Sequence, residues 1–271
     1  MDSFEEGGTA MIDIVRNWGY VGPNTDLGDL HITQGQYMAG FPVGIMTLDA
    51  WLPKPPGYTS QACSYDFPVR YLLVQGADQK RIHGGDGDLL PALIATARQL
   101  ERDGCRMISS TCGYFGNFQA EVADAVDIPV YLSSVCQVPW IRVGLKSSQK
   151  IGVLCGDAPS LKFRLFASCG ISREDYERCV IYGAQDAPIF SSFIHKPGHY
   201  DVEGVKGELV SIAKNMVRDH PDIGAILLEC TDMPPHAADI QRAVNLPVFD
   251  SVTMIKFIKN VVCQTPYYGF I

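Results

Sequence analysis

The feature that most constrains the fold is an internal repeat with a spacing of 118 residues. The dipeptide Pro129-Val130 returns as Pro247-Val248, and Cys112 returns as Cys230 at the same offset. In each half an apolar run precedes the cysteine, and a helical pattern and a second apolar run follow it. Because a repeated supersecondary unit folds into repeated structure, the sequence predicts two similar lobes related by a pseudo-twofold axis.

The predicted strands are short apolar runs that are continuous instead of alternating, which is typical of parallel strands covered on both faces. The runs are Val43–Leu48, Val69–Val74, Cys105–Ser109, Val130–Leu132, Ile151–Cys155, Val180–Tyr182, Ile223–Leu228 and Val248–Phe249. Helical patterns lie between them, and this alternation indicates an α/β fold. We predict an N-terminal extension over 1–40, a first lobe over 41–147 and a second lobe over 148–271. Each lobe is a parallel sheet flanked by helices, and a C-terminal helix can pack back on the first lobe.

Composition excludes several classes of protein. The net charge is −8 with no run of Lys or Arg, which argues against nucleic acid and anionic membrane as partners. The apolar runs are far shorter than the ~20 residues that cross a bilayer, and the N-terminus has no signal-peptide pattern. None of the nine cysteines forms a C-x-x-C pair, so we expect no metal site, and free thiols favour a cytoplasmic protein.

Cys112 and Cys230 are the candidate catalytic residues. Each follows a predicted strand and precedes a predicted helix, where open α/β sheets bind ligands and where a helix N-terminus favours a thiolate. A lone cysteine in this position is more often a buried small residue. A pair at equivalent points of two lobes would face each other across the cleft. Inverting a stereocentre needs such a pair, because a base takes the proton from one face and an acid returns it on the other.

The chain resembles the aspartate/glutamate racemase superfamily over roughly residues 41 to 258. The resemblance rests on Gly44–Asp49, Phe67–Tyr71, Ser110–Gly113, Glu229–Pro235 and Pro247–Asp250. It implies a pseudo-symmetric two-lobed fold, an active site between the lobes, no cofactor, paired cysteines acting as base and acid, and a homodimer or higher homo-oligomer. The chain departs from the family's racemases at Gly113 and Tyr114, where they usually have Asn and Thr, and Tyr114 suggests a bulkier substrate.

The remaining candidate residues flank the two cysteines or end a strand. We expect Ser110, Thr111, Gly113 and Thr231 to hold the oxygens of a small carboxylate, and Asp49 and Asp232 to tune the thiols. Tyr114 and Ser133 complete the predicted substrate-binding set, although Ser133 could equally cap a turn and Asp49 could be a cap.

The predicted function is that of a cofactor-independent racemase or epimerase, an isomerase acting on a small carboxylate or amino acid. A cis–trans isomerase and a decarboxylase are alternatives on the same scaffold. A non-catalytic two-lobed binding protein, in which the thiols are bystanders, is the alternative from another class.

Overall fold

The computed structural model describes residues 21–195 and 198–271, so residues 1–20 of the predicted extension lie outside the described chain. The strands of the first sheet are β1 (Val43–Thr47), β2 (Val69–Leu73), β3 (Met107–Ser110) and β4 (Val130–Tyr131). The strands of the second sheet are β5 (Lys150–Cys155), β6 (Cys179–Gly183), β7 (Ile223–Leu228) and β8 (Val248–Phe249).

The two sheets share one topology. Their strand orders are β2-β1-β3-β4 and β6-β5-β7-β8, and every pairing is parallel. The register repeats as well, since Gly44 pairs with Ile108 in the first sheet and Gly152 pairs with Ile226 in the second. The central strands are buried along their length, which explains their continuous apolar sequence. The predicted α/β fold with two parallel sheets flanked by helices is confirmed.

Helices cover both sheets and fill the connections between parallel strands. The α-helices of the first half are α1 (Gln79–Gly84), α2 (Leu90–Arg102), α3 (Gln119–Ala123) and α4 (Val138–Val143). Those of the second half are α5 (Phe163–Ser168), α6 (Arg173–Glu177), α7 (Pro188–His195), α8 (Val202–Asp219), α9 (Ala237–Val244) and α10 (Ser251–Val262). Short 3₁₀ helices cover Ala62–Ser64, Gly87–Leu89, Gly113–Phe118, Ser134–Gln137, Ala158–Ser160 and Pro234–His236.

Two segments cross from one lobe to the other. The loop between β1 and β2 reaches the second lobe, where Tyr58 joins the hydrophobic cluster of that lobe and the Thr59 N–H donates to the Thr231 carbonyl. In the opposite direction, α10 packs on the first sheet, and Ile255 shares a hydrophobic cluster with Val43 and Met107. These crossings hold the carboxyl ends of the two sheets against one cleft.

Over the described ranges, no helix combines the length and the apolar character needed to cross a bilayer.

Candidate active site

A cavity of about 1160 Å³ lies at the carboxyl ends of the strands, where the two lobes meet. Cys112 follows β3 and Cys230 follows β7, and both line this cavity. The loop after β1 and the helix α1 add further lining residues from the first lobe, and the loop after β5 adds Gly156 and Asp157 from the second. The structure therefore brings the two sequence-predicted cysteines to a single cavity of the size that holds small ligands.

Cys112 is held in extended backbone between β3 and the 3₁₀ helix Gly113–Phe118. Its carbonyl accepts hydrogen bonds from the Ser110 hydroxyl and the Phe115 N–H. Its Sγ lies 3.9 Å from Nε2 of His83, which is at the end of α1. The second thiol has no imidazole in the contacts described for it, so the two cysteines differ in their nearest partner.

His83 is a functional candidate that the sequence analysis did not single out. Its ring stacks on Tyr114 at a centroid distance of 3.8 Å, and its Nδ1 lies 3.8 Å from Oδ2 of Asp157. Burial lowers the pKa of His83 to about 4, although Asp157 opposes this shift. A neutral imidazole beside a thiol can accept the proton of that thiol. The low pKa of His83 opposes this transfer, and attraction between the resulting imidazolium and the adjacent thiolate favours it.

Cys230 lies among carboxyl groups. The neighbouring Asp232 lines the same cavity, and burial raises its pKa to about 7, a shift that Lys54 opposes. The Thr231 hydroxyl donates to the Thr111 carbonyl, which ties the second cysteine loop to the first. Cys230 and Cys112 are close enough that negative charge on Cys112 disfavours a thiolate at Cys230.

The expectation that a helix N-terminus favours the thiolate form of each cysteine is wrong. Burial, followed by the charge of Glu229, raises the pKa of Cys112 well above its usual value, and burial with Asp232 does the same for Cys230. Backbone N–H groups that point at the sulfurs lower both values but do not prevail. The reason is that only a six-residue 3₁₀ helix follows Cys112, while buried acids surround both thiols. A thiolate in this site consequently needs a proton acceptor such as His83.

Most of the predicted substrate-binding residues line the cavity. They are Asp49, Thr111, Gly113, Tyr114, Thr231 and Asp232. Oδ1 of Asp49 accepts a hydrogen bond from the indole N–H of Trp51, and the Tyr114 hydroxyl donates to the Asp157 carbonyl at 2.6 Å, across the lobes.

Two of the predicted substrate-binding residues are placed away from the cavity wall. The Ser110 hydroxyl donates to the carbonyls of Cys112 and Leu132, and the Ser133 hydroxyl caps the following 3₁₀ helix by accepting from the Val135 N–H. Both serines are almost completely buried. Their hydroxyls satisfy backbone groups where the strands end, so they support the loops that form the site.

Comparison with known proteins identifies the family of this chain. No family model matches it. It is 30% identical over 236 residues to dimethylsulfoniopropionate lyase 7 of Emiliania huxleyi, an alignment that covers 84% of this chain and 69% of that protein. The chain belongs to the family of this lyase. A dimethylsulfoniopropionate lyase of Durusdinium sp. clade D is 29% identical over 236 residues, with 84% and 77% of the two chains covered.

The fold matches solved structures of the predicted superfamily. A mutant of arylmalonate decarboxylase superposes with a TM-score of 0.53 at 16% identity, covering 82% of this chain and 93% of the other. Allantoin racemase of Pseudomonas fluorescens gives 0.51 at 15% identity, covering 84% and 99%. The fold that the resemblance to the aspartate/glutamate racemase superfamily implies is therefore confirmed. The prediction that this chain is an enzyme is supported. The prediction of an isomerase is not, because the relatives compared here are named lyases.

Proposed function

We propose that this chain is a lyase that takes a proton from Cα of a small carboxylate and expels a leaving group from Cβ. Its relatives support the proposal, because those compared above are named dimethylsulfoniopropionate lyases. In this chain the observation that carries it is the Cys112 thiol, 3.9 Å from the neutral imidazole of His83 at the wall of a ligand-sized cavity.

The charges of the cavity support a substrate with a carboxylate and a cationic group. Dimethylsulfoniopropionate has a carboxylate at one end and a sulfonium cation at the other. Lys54 and Lys80 line the cavity and suit the carboxylate. The rings of Tyr58 and Tyr114 and the carboxyl of Asp232 suit the cation, since aromatic faces attract a desolvated cation.

The reaction is a β-elimination. Cys112 passes its proton to Nε2 of His83, and the thiolate then takes the proton from Cα. The electron pair of that C–H bond becomes the Cα–Cβ double bond while the bond from Cβ to sulfur breaks. Dimethyl sulfide leaves with the electron pair of the broken bond, and acrylate remains. The atoms and electrons balance without an oxidant or a reductant.

Racemisation or epimerisation is the second candidate, and the presence of Cys230 in the same cavity favours it. Both reactions begin with loss of the proton from Cα. They differ in the fate of the carbanion, which an isomerase reprotonates from the opposite face and a lyase converts to an alkene. Cys230 would supply the proton in the isomerase.

One experiment separates these reactions. The purified chain is incubated in D₂O with dimethylsulfoniopropionate, with dimethyl sulfide measured in the headspace by gas chromatography and acrylate by proton NMR. Parallel incubations contain chiral amino acids and hydroxy acids. We expect dimethyl sulfide and acrylate in equal amounts, released about 10³-fold more slowly by Cys112→Ser. Loss of optical activity with deuterium at Cα, and no acrylate from the sulfonium compound, would favour the isomerase instead.

A further inference from the structure

A buried carboxyl group lies between the two cysteine loops and has no place in the elimination step. Glu229 precedes Cys230 and is fully buried. Neither of its carboxyl oxygens has a hydrogen-bond partner among the described residues. An unpartnered buried carboxylate is costly, so this group requires an explanation.

The packing at Gly113 fixes the position of this carboxyl. A Cβ atom at Gly113 would collide with Oε1 of Glu229, so the carboxyl rests directly on the residue that follows Cys112. Only a glycine leaves room for it there. Because Glu229 is also covalently adjacent to Cys230, its carboxyl is next to both candidate catalytic residues in sequence or in space, yet it does not line the cavity.

The titratable groups that face Glu229 come from several elements of both lobes. They are Cys112 and Tyr114 after β3, Cys155 and Asp157 at the end of β5, Cys169 after α5, and Cys230 and Asp232 on its own loop. None of these groups is a cation. Burial, followed by the charges of Asp232 and Asp157, raises the pKa of Glu229 to about 8. Negative charge on Glu229 in turn raises the pKa of both Cys112 and Cys230.

We propose that Glu229 is a positioning residue that keeps its proton in the working enzyme, so that the only new negative charge between the lobes is that of the Cys112 thiolate. A neutral Glu229 permits transfer of the thiol proton to His83. An ionised Glu229 places a second negative charge beside the sulfur and prevents that transfer. The residue acts through Cys112 and not on the substrate, and the inference rests on the function proposed for Cys112.

If Glu229 must keep its proton, activity should fall at alkaline pH, and the fall should depend on Glu229 alone. The rate of dimethyl sulfide release by the wild-type chain should fall as pH rises through about 8, the pKa of Glu229. Glu229→Gln, which is neutral at every pH, should retain most of the activity at pH 7 and lose this alkaline fall. Glu101→Gln is the matched control, because Glu101 is also buried but accepts a hydrogen bond from the Asp127 N–H far from the cavity. It should keep the wild-type profile.

Thiol alkylation tests the proposal without any substrate. The rate of iodoacetamide labelling at Cys112 is followed by mass spectrometry from pH 6 to 10. Removal of the charge should lower the thiol pKa, so at pH 9 we expect labelling in Glu229→Gln to be about tenfold faster than in wild type, the effect of one pKa unit. Unchanged labelling in the variant would overturn the role of Glu229 even if the chain is a lyase. Faster labelling in a chain without lyase activity would support that role and reject the proposed reaction.

The protonation state of Glu229 can also be measured in the wild-type chain, without the Glu229→Gln variant. The side-chain carboxyls of glutamate are labelled with ¹³C, which leaves Asp232 unlabelled, and their shifts are followed by NMR as pH changes. One glutamate that takes up its charge only near pH 8 is the expected result. A set of glutamates that all ionise at ordinary acidic pH would overturn the proposal.

Discussion

The two cysteine loops occupy equivalent places in the two lobes, yet different groups surround their thiols. Glu229 and Asp232 raise the pKa of both thiols, but only Cys112 has a neutral imidazole, 3.9 Å from its sulfur, in the contacts described for the pair. The first thiol therefore has a neighbouring base that can accept its proton, whereas the described contacts of the second thiol include no such base. A racemase needs two groups that exchange roles, while an elimination needs one base. The repeated fold thus supplies symmetric positions, and the side chains around them make the pair unequal.

The largest expected effect is that of Cys112→Ser. If Cys112 is the base, kcat for dimethyl sulfide release should fall by about 10³-fold, because a serine hydroxyl is a far weaker acid than a thiol. KM should change little. Cys63→Ser, at an exposed cysteine, is the control. Activity retained in Cys112→Ser would show that Cys112 is not the base and that the two cysteines do not differ in the way proposed.

His83→Asn should have the next largest effect. The variant keeps a polar side chain but cannot accept the thiol proton efficiently, so kcat at pH 7 should fall by about 100-fold. Added imidazole should restore part of the rate at pH 7, because it can accept the thiol proton in place of the missing ring. Activity assays with and without imidazole measure this, and a variant that imidazole does not rescue would point to a structural role for the ring.

Cys230→Ser tests directly whether the two cysteines have unequal roles. An elimination with a single base predicts a loss of at most about tenfold in kcat. A loss as large as that of Cys112→Ser would show that both thiols are needed and would favour the racemase. Deuterium content at Cα of recovered substrate, measured by mass spectrometry in D₂O, distinguishes the two results further.

Tyr114→Phe should have the smallest effect. It removes the hydroxyl that donates to the Asp157 carbonyl across the lobes, which should lower the free energy of unfolding by about 1 kcal/mol. Urea titration measures this, with Tyr37→Phe at an exposed position as the control. Because the ring still stacks on His83, activity should stay near that of wild type, and a large loss would assign the hydroxyl to the reaction.

Much of the fold could be predicted because its signals are local or repeated. The strand over Ile223–Leu228 was predicted with its observed bounds, since six buried apolar residues leave little ambiguity. The 118-residue offset of the two cysteines corresponds to the shared topology of the sheets. The 3₁₀ helix over Gly113–Phe118 could not be predicted, because Gly113 and Gly116 interrupt any helical pattern in the sequence.

The chemistry of the site was harder to predict because it depends on contacts between distant segments. His83 is 29 residues before Cys112, on a six-residue helix too short to show periodicity. The available signal was its place after β2, since helices that follow parallel strands begin at the ligand-binding edge of a sheet. Ser110 and Ser133 have the right place in sequence, but the direction of a hydroxyl depends on which backbone carbonyls lack a partner, which one chain segment cannot reveal.

The exchange of segments between the lobes has a consequence for folding. Tyr58 completes the core of the second lobe and Ile255 completes that of the first, so neither half of the chain contains its whole core. Halves expressed separately would each leave an apolar surface open to water, and we expect them to be insoluble alone and to recover when combined. Heat or urea should melt the intact chain in one cooperative transition.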